Sequence, residues 1–564
     1  MQRNIEELSK KHYDVLVVGG GIFAACAAWD CVLRGLSVAI IEKQDFCSGT
    51  SANSFKMVHG GMRYLQHADI KRLRASCHER SALLRIAPHL VQPLPIIIPT
   101  YGYGKSGKVF LGAGLFLYDA LTMGRNAGIL DRKRHVTRTQ FFSREEVLKE
   151  YPDLDPDGLT GAAMFYDGQM YNPTRLVLAF VKSAQAKGAH VANYVEATKL
   201  VRDGNKVVGV DAIDGFTRKE FRIRASVVLN AAGPWSEWLL ENSFSKREKP
   251  TTKGVYSRDA CFVVKRRFAS PYAIAVQGRT TDPDALLARP ARHLFLVPWR
   301  DYTLVGVWHV VWKRHPEEVV VKEDEIQDFI EEMNWAYPSL NLTSKEVTMW
   351  NAGLVPFGEN EEGAENLSYG KRSNLIDHKK IDDLDGLVTL IGIRYTTARG
   401  DSAKAVDIVC AKLNKSEKRA ATAFTPLVGG DIEDFDALVN GTFQRQDLAL
   451  SEHCVRALTH NYGTQVEQVL DFAREDKVLA ATLGESTVLK AEVVHAVKKE
   501  IAYTLADVVF RRTDLATGGN PGTPVLLECA RIMADLLGWD EDKLQQELNA
   551  VLVRFPAWTE QGSI

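Results

Sequence analysis

Three absences narrow what this chain can do. No stretch reaches the roughly 20 apolar residues of a membrane-spanning helix; the nearest, "VFLGAGLFLYDALTMG" at 109–124, is shorter and holds an aspartate. No Cys-x-x-Cys pair occurs. The eight cysteines (Cys26, Cys31, Cys47, Cys77, Cys261, Cys410, Cys454 and Cys529) are scattered, which argues against a zinc site and for free thiols in a reducing compartment. No charge of one sign prevails: 70 Lys and Arg against 71 Asp and Glu leave a formal net charge of −1, so no global field favours nucleic acid. The N-terminal "MQRNIEELSKKH" has no apolar segment of the kind a secretory signal needs, and no internal repeat or low-complexity tract is found. The expectation is a cytoplasmic globular protein without metal or nucleic acid. Its 564 residues, 45% hydrophobic and 25% charged, imply two or more domains.

What the chain does have is a strand-helix-strand signature near its start. In "YDVLVVGGGIFAACAAWDCVLRGLSVAIIEK", Val15 to Val18 reads as a buried parallel strand, Gly19-Gly20-Gly21 as a tight turn and Ile22 to Leu33 as a helix. Val38 to Ile41 is a second strand closed by Glu42. Glycines at such a turn let a pyrophosphate approach the helix N-terminus, where open N–H groups and the dipole favour anions. An acid ending the second strand accepts hydrogen bonds from a ribose. Ala24 takes the third glycine position and is still small enough for close helix–strand packing. An ordinary βαβ unit can carry the same glycines, but the strand context and the spacing to Glu42 favour a dinucleotide site. Two further stretches favour FAD over NAD. "SGTSANSFKMVHGGMRYLQH" at 48–67 offers Gly49, Thr50 and Ser51 as donors to a pyrophosphate. Far downstream, "ASVVLNAAGPWSEWL" repeats a strand ending in Ala-Ala-Gly.

With these motifs on the page, the chain resembles the FAD-dependent glycerol-3-phosphate dehydrogenases and oxidases. "GGGI", "GLSVAIIEKQDFCSGTS", "HGGMRYL", "RIAPHLVQPLP", "AAGPW", "TKGVY", "LVPWR" and "TTAR" match that family in order. "AEVVHAVKKEIAYTLADVVFRRTDL" and "DLLGWDEDKLQQEL" are similar to its helical end domain, so the likeness runs from residue 13 to 550. The implied fold is α/β: a Rossmann-like FAD-binding domain over 13–430, interleaved with an antiparallel-sheet substrate domain at 97–184 and 256–383, then an α-helical domain over 431–564. "RHLFLVPWRDYTLVGVWHVVW" reads as a hairpin turning at Arg300-Asp301. Val493, Val497, Ile501, Leu505 and Val508 read as one helical stripe.

The resemblance implies non-covalent FAD held by Gly19, Gly21, Ile22, Ala24, Glu42, Lys43, Gly49, Thr50, Ser51, His59, Gly60 and Gly61. It adds Val195, Ala232, Gly233, Trp235, Gly392, Arg394, Thr396 and Thr397 from later segments. It further implies a phosphorylated polyol as substrate, met by Arg63, Tyr64, Arg394 and Arg372, with Arg394 standing where the family usually has lysine. Quinone or oxygen would then accept the electrons. A peripheral place on the cytoplasmic face of a membrane fits the basic "DRKRHVTR" near an apolar segment, with a solvated charge run as its rival. A homodimer is also admitted.

The departures all fall in the substrate pocket. The family's "KG-x-H" is "KGVY" here, so a histidine becomes Tyr256; "AG-x-RP" is "AGLVP", so an arginine becomes Val355. A "GTTDT"-like stretch is "GVWHV", which introduces Trp308 and His309. His309 is the candidate general base, with Tyr256 the next. Two other readings stay open: a flavin enzyme acting on a different alcohol or amine, and a flavin-bound protein without turnover.

Overall fold

The computed structural model describes residues 1–66, 68–102, 108–244, 255–268, 270–279, 293–357, 373–415, 419–445 and 447–556. Val15 to Val18 are buried along their whole length, and a strand apolar on both faces is stable only inside a sheet covered on both sides. His12–Val18 accordingly pairs in parallel with Val38–Ile41 and with Glu220–Asn230, Val15 lying opposite Val38 on one side and Val227 on the other. Leu387–Ile391 extends the sheet in parallel beside Glu220–Asn230, and His190–Ala192 closes the other edge. Helices Ile22–Leu33, Pro173–Ala186 and Ala398–Lys412 cover one face, where Ala25, Ala28, Val177, Val181 and Val406 share a core. The hairpin of Val195–Asp203 and Lys206–Asp214, with Leu8 of helix Ile5–Lys10, covers the other.

A second, largely antiparallel sheet runs in the order Val347–Phe357, Val255–Val264, Tyr302–Trp312, His293–Trp299, Ala273–Gln277, Val91–Tyr101, Leu159–Met170 and Met57–Val58. The hairpin expected at Arg300-Asp301 is present, joining His293–Trp299 to Tyr302–Trp312. Alternate side chains point to opposite faces. One set, including Ile97, Phe262 and Leu296, packs under helix Glu323–Ala336. The other set, including Ile96, Val263 and Val297, meets the C-terminal helices through Leu483, Val508 and Leu526. The substrate sheet begins earlier than 97, since the strand holding that position starts at Val91 and Met57–Val58 also joins it. Helix Pro173–Ala186 belongs to the parallel-sheet core instead, because its apolar face is too wide for solvent.

The chain ends in helices: Phe435–Arg445, Glu452–Tyr462, Glu467–Glu475, Lys490–Glu500, Thr523–Leu537 and Glu541–Leu552. The expected 493–508 stripe is buried except at half-buried Val497, and it is not one helix. Ile501 takes a left-handed conformation (φ 50°) and ends Lys490–Glu500, so Leu505 and Val508 sit on the next turns. The architecture is otherwise the one expected from the sequence, an α/β FAD-type domain with an interleaved antiparallel sheet and a helical end domain. All eight cysteines are free and buried. Among the described residues, no helix is long and apolar enough to cross a membrane.

Candidate functional site

A cavity of about 830 Å³ runs from the glycine turn at Gly19-Gly20-Gly21 to the floor made by the second sheet. At its first end the local sequence dictates the geometry. Gly19 has φ +115°, and a Cβ there would lie 2.6 Å from the Ala231 carbonyl oxygen, so only glycine permits the two strand ends to touch. Gly21 precedes helix Ile22–Leu33 without a side chain to cap it. Ser51 Oγ accepts from the Ile22 N–H at 3.0 Å, and the rest of that helix end opens on the cavity. Glu42 accepts from the Gly20 N–H at 2.6 Å and the Gln44 N–H at 2.9 Å. Burial pushes its carboxyl above the usual range while those two donors pull it back.

These features fit an adenine dinucleotide. The uncapped helix end suits a pyrophosphate. Glu42, a carboxylate at the cavity edge that accepts from backbone N–H groups, suits ribose hydroxyls. Gly49, Thr50, Ser51, Val195, Ala232, Gly233 and Trp235 line the same end, as does Lys43, which pairs with Glu317 and lies 5.0 Å over the Trp235 ring.

At the far end, two walls face each other. One comprises Gly392, Arg394 and Thr396, which follow Leu387–Ile391 of the parallel sheet, with His59, Gly61 and Tyr64, which follow Met57–Val58. Thr396 Oγ1 accepts from the His59 N–H at 2.9 Å, and Asp167 accepts from His59 Nδ1 at 2.9 Å and from the Gly60 N–H at 2.5 Å. Arg394 lies 5.0 Å over the Tyr64 ring and Arg72 4.9 Å over it, Arg72 being paired with Asp69 at 2.6 Å. The floor contributes Asp259, Cys261, His293, Val307, His309 and Val355.

The comparisons with known proteins agree with this geometry. Residues 14–383 match the model of FAD dependent oxidoreductases, and residues 420–544 match that of the C-terminal domain of alpha-glycerophosphate oxidase. A glycerol-3-phosphate dehydrogenase of Synechocystis sp. is 30% identical over 580 residues, covering 100% of this chain and 99% of that relative. This chain belongs to the FAD-dependent glycerol-3-phosphate dehydrogenase family. The aerobic glycerol-3-phosphate dehydrogenase of Bacillus subtilis is 30% identical over 91% of this chain and 88% of its own length. Among solved structures, the glycerol-3-phosphate dehydrogenase from Bacillus halodurans complexed with FAD has a TM-score of 0.75 at 25% identity, covering 98% of this chain and 96% of that one.

Within this FAD-dependent dehydrogenase fold, most residues expected at the site do line the cavity. Ala24, Gly60 and Thr397 do not. Ala24 is buried in the helix core, Gly60 lies against Arg80, and the Thr397 hydroxyl bonds Asp401 at 2.9 Å. Tyr256 requires a correction. It shares a strand face with Arg258 and Phe262 rather than with Asp259, and packs with Leu354 and Ile391, so its phenol lies off the cavity lining and burial raises its pKa. Arg63 lies in the short helix Arg63–Gln66, but its side chain is outside the described part, and Arg372 lies outside the described residues. Sequence reasoning missed Asp167, Asp259 and His293. The available signal was charge inside a strand that ends in an apolar run, as Arg258 and Asp259 in "YSRDACFVV".

Proposed function

We propose that the protein oxidises the secondary alcohol of glycerol 3-phosphate, or of a closely related phosphorylated polyol, to the corresponding ketone, a dihydroxyacetone phosphate-like product. The observation that supports this reading is a single cavity lined both by the glycine turn and by Arg394, Tyr64 and His309. FAD, when bound, supplies the hydride acceptor at flavin N5. The chain's own residues bind, orient and deprotonate. Arg394 gives the phosphate charge-assisted, two-pronged hydrogen bonds, with Arg63 and Arg372 in the same proposal by resemblance. His309 takes the hydroxyl proton, since an imidazole is matched to proton transfer near neutral pH. Quinone or oxygen would serve as the final electron acceptor.

Val355, in the floor where the family carries arginine, favours a second reading: the same chemistry on a different alcohol or amine. A valine adds no charge there, so less of an anionic substrate is gripped. The deciding experiment is anaerobic mixing of the yellow, FAD-loaded protein with glycerol 3-phosphate, other phosphorylated polyols, plain alcohols and amines. Bleaching by glycerol 3-phosphate supports the first reading, bleaching by another compound alone replaces it with the second, and no bleaching by any leaves a flavin-bound protein without turnover.

A further inference from the structure

Asp259 stands directly across from His309 where Val255–Val264 pairs with Tyr302–Trp312. Both residues line the cavity floor. Side chains opposite one another on one face of an antiparallel pair have Cβ atoms ~4.5–5.5 Å apart, which is within reach of a carboxylate–imidazole hydrogen bond. A bulge frames the pair: Ala260 faces Trp308 and Cys261 faces Gly306, leaving Val307 as the additional residue. Bulges of this kind re-aim side chains beside active sites. The carboxylate is itself held, because the buried Ser257 hydroxyl donates to Asp259 Oδ1 at 2.7 Å.

We propose that Ser257, Asp259 and His309 form a relay in which Asp259 is a positioning residue. Its carboxylate orients the imidazole and stabilises the imidazolium that forms when the substrate hydroxyl releases its proton. This rests on the oxidation proposed above. In that step the O–H bond breaks with its proton passing to His309. The C–H bond breaks with its electron pair passing to the FAD acceptor, and the carbon–oxygen bond becomes a carbonyl. His293, Tyr64 and Arg394 are other titratable or charged groups that line the cavity with His309 on the substrate side. The nearby Asp167 and Asp69 are engaged by His59 and Arg72, so Asp259 is the carboxylate in register with the imidazole.

The test compares wild type, Asp259→Asn, Asp259→Glu and His309→Asn, each loaded with FAD. Anaerobic flavin reduction by glycerol 3-phosphate is followed from pH about 5.5 to 9, the range an imidazole spans. A carboxylate neighbour favours the charged imidazole, so its removal lowers the pH at which His309 titrates. Asp259→Asn is expected to slow reduction about tenfold or more and to move the rising limb of the profile to lower pH, with partial recovery in Asp259→Glu. An unchanged profile in Asp259→Asn overturns the relay. A second readout does not depend on turnover: titration of the His309 resonance by NMR in carbon-labelled histidine protein, assigned by its loss in His309→Asn. Identical titration in wild type and Asp259→Asn overturns the relay even where glycerol 3-phosphate fails to bleach the flavin, a result that would sink the substrate reading alone.

Discussion

Arg394 lies 5.0 Å over the Tyr64 ring on the substrate wall, and its removal tests the anion site directly. Loss of a charge-assisted hydrogen bond costs roughly 1.5–3 kcal/mol. Arg394→Ala is therefore expected to raise KM for the phosphorylated substrate about tenfold or more while the flavin stays bound. An unchanged KM would remove it from the substrate site. Glu42→Ala probes the other end: it deprives the Gly20 and Gln44 N–H groups of their acceptor and removes the carboxylate proposed to meet the ribose. Fluorescence titration of the apoprotein is expected to show FAD binding weakened about tenfold or more. Gly19 and Glu42 were legible in the sequence because a backbone conformation and a strand end each demand one residue type. The floor was not. Which of Tyr256 and Asp259 faces the cavity depends on strand register and on the bulge at Val307, and both are set by pairing with residues some 50 and 100 positions away.

At the scale of elements, a buried ion cluster fastens the helical end domain to the parallel sheet. Asp45, three residues after Glu42, accepts from Arg511 Nε at 2.7 Å and from Arg512 Nη1 at 2.6 Å and Nη2 at 2.8 Å. Those arginines hold its carboxyl below the usual range despite burial. Breaking a buried pair by removing one partner leaves uncompensated charge, at a cost of about 3–5 kcal/mol. Asp45→Ala is thus expected to lower the unfolding free energy obtained by denaturant titration by that much, and a change under about 1 kcal/mol would show the cluster to be dispensable. Buried histidines add a pH dependence. His460, stacked 4.1 Å from Tyr171, and His495 are both pushed down to about 3 by burial. A histidine with a depressed folded pKa contributes stability that is present above its ordinary value, ~6.5, and lost as pH falls below it. Each is expected to cost about 1.4 kcal/mol per pH unit over that descent. Buried Glu492, pushed up to about 8, acts in the opposite sense over the same range, and buried His89 in the same sense as the two histidines. Thermal melts between pH about 7 and 5 therefore compare wild type with His460→Gln, which is expected to flatten the slope. The helices themselves were legible from their apolar spacing, whereas the break at Ile501 was not, since a left-handed isoleucine is imposed by its neighbours and not by its own preference.

At the scale of the whole molecule, one surface stands apart from the net charge of −1. On helix Lys108–Leu121, Ala113, Phe116, Leu117 and Ala120 fall on a single exposed stripe, with Phe116 77% and nearby Met123 84% accessible. Arg132, Lys133 and Arg138 are exposed in the segment that follows. Lys133 is paired with Asp436 at 2.7 Å, but an exposed apolar face followed in the chain by exposed Arg132 and Arg138 suits the interface of an anionic bilayer, the basis for expecting peripheral membrane association. The protein is expected to float with anionic liposomes at low salt and Phe116→Glu/Leu117→Glu to remain at the bottom of the gradient; wild type that fails to float ends the idea. The Asp45 cluster also has a history in time. The parallel sheet waits for Leu387–Ile391 before it is complete, and Asp45 waits for Arg512. At a synthesis rate of ~5–20 residues per second, roughly 20 to 90 s pass between the two. For that interval a carboxylate destined for the interior can meet Asn193 but neither arginine, so the first half of the protein acquires its final interior only when almost all of the second half has left the ribosome.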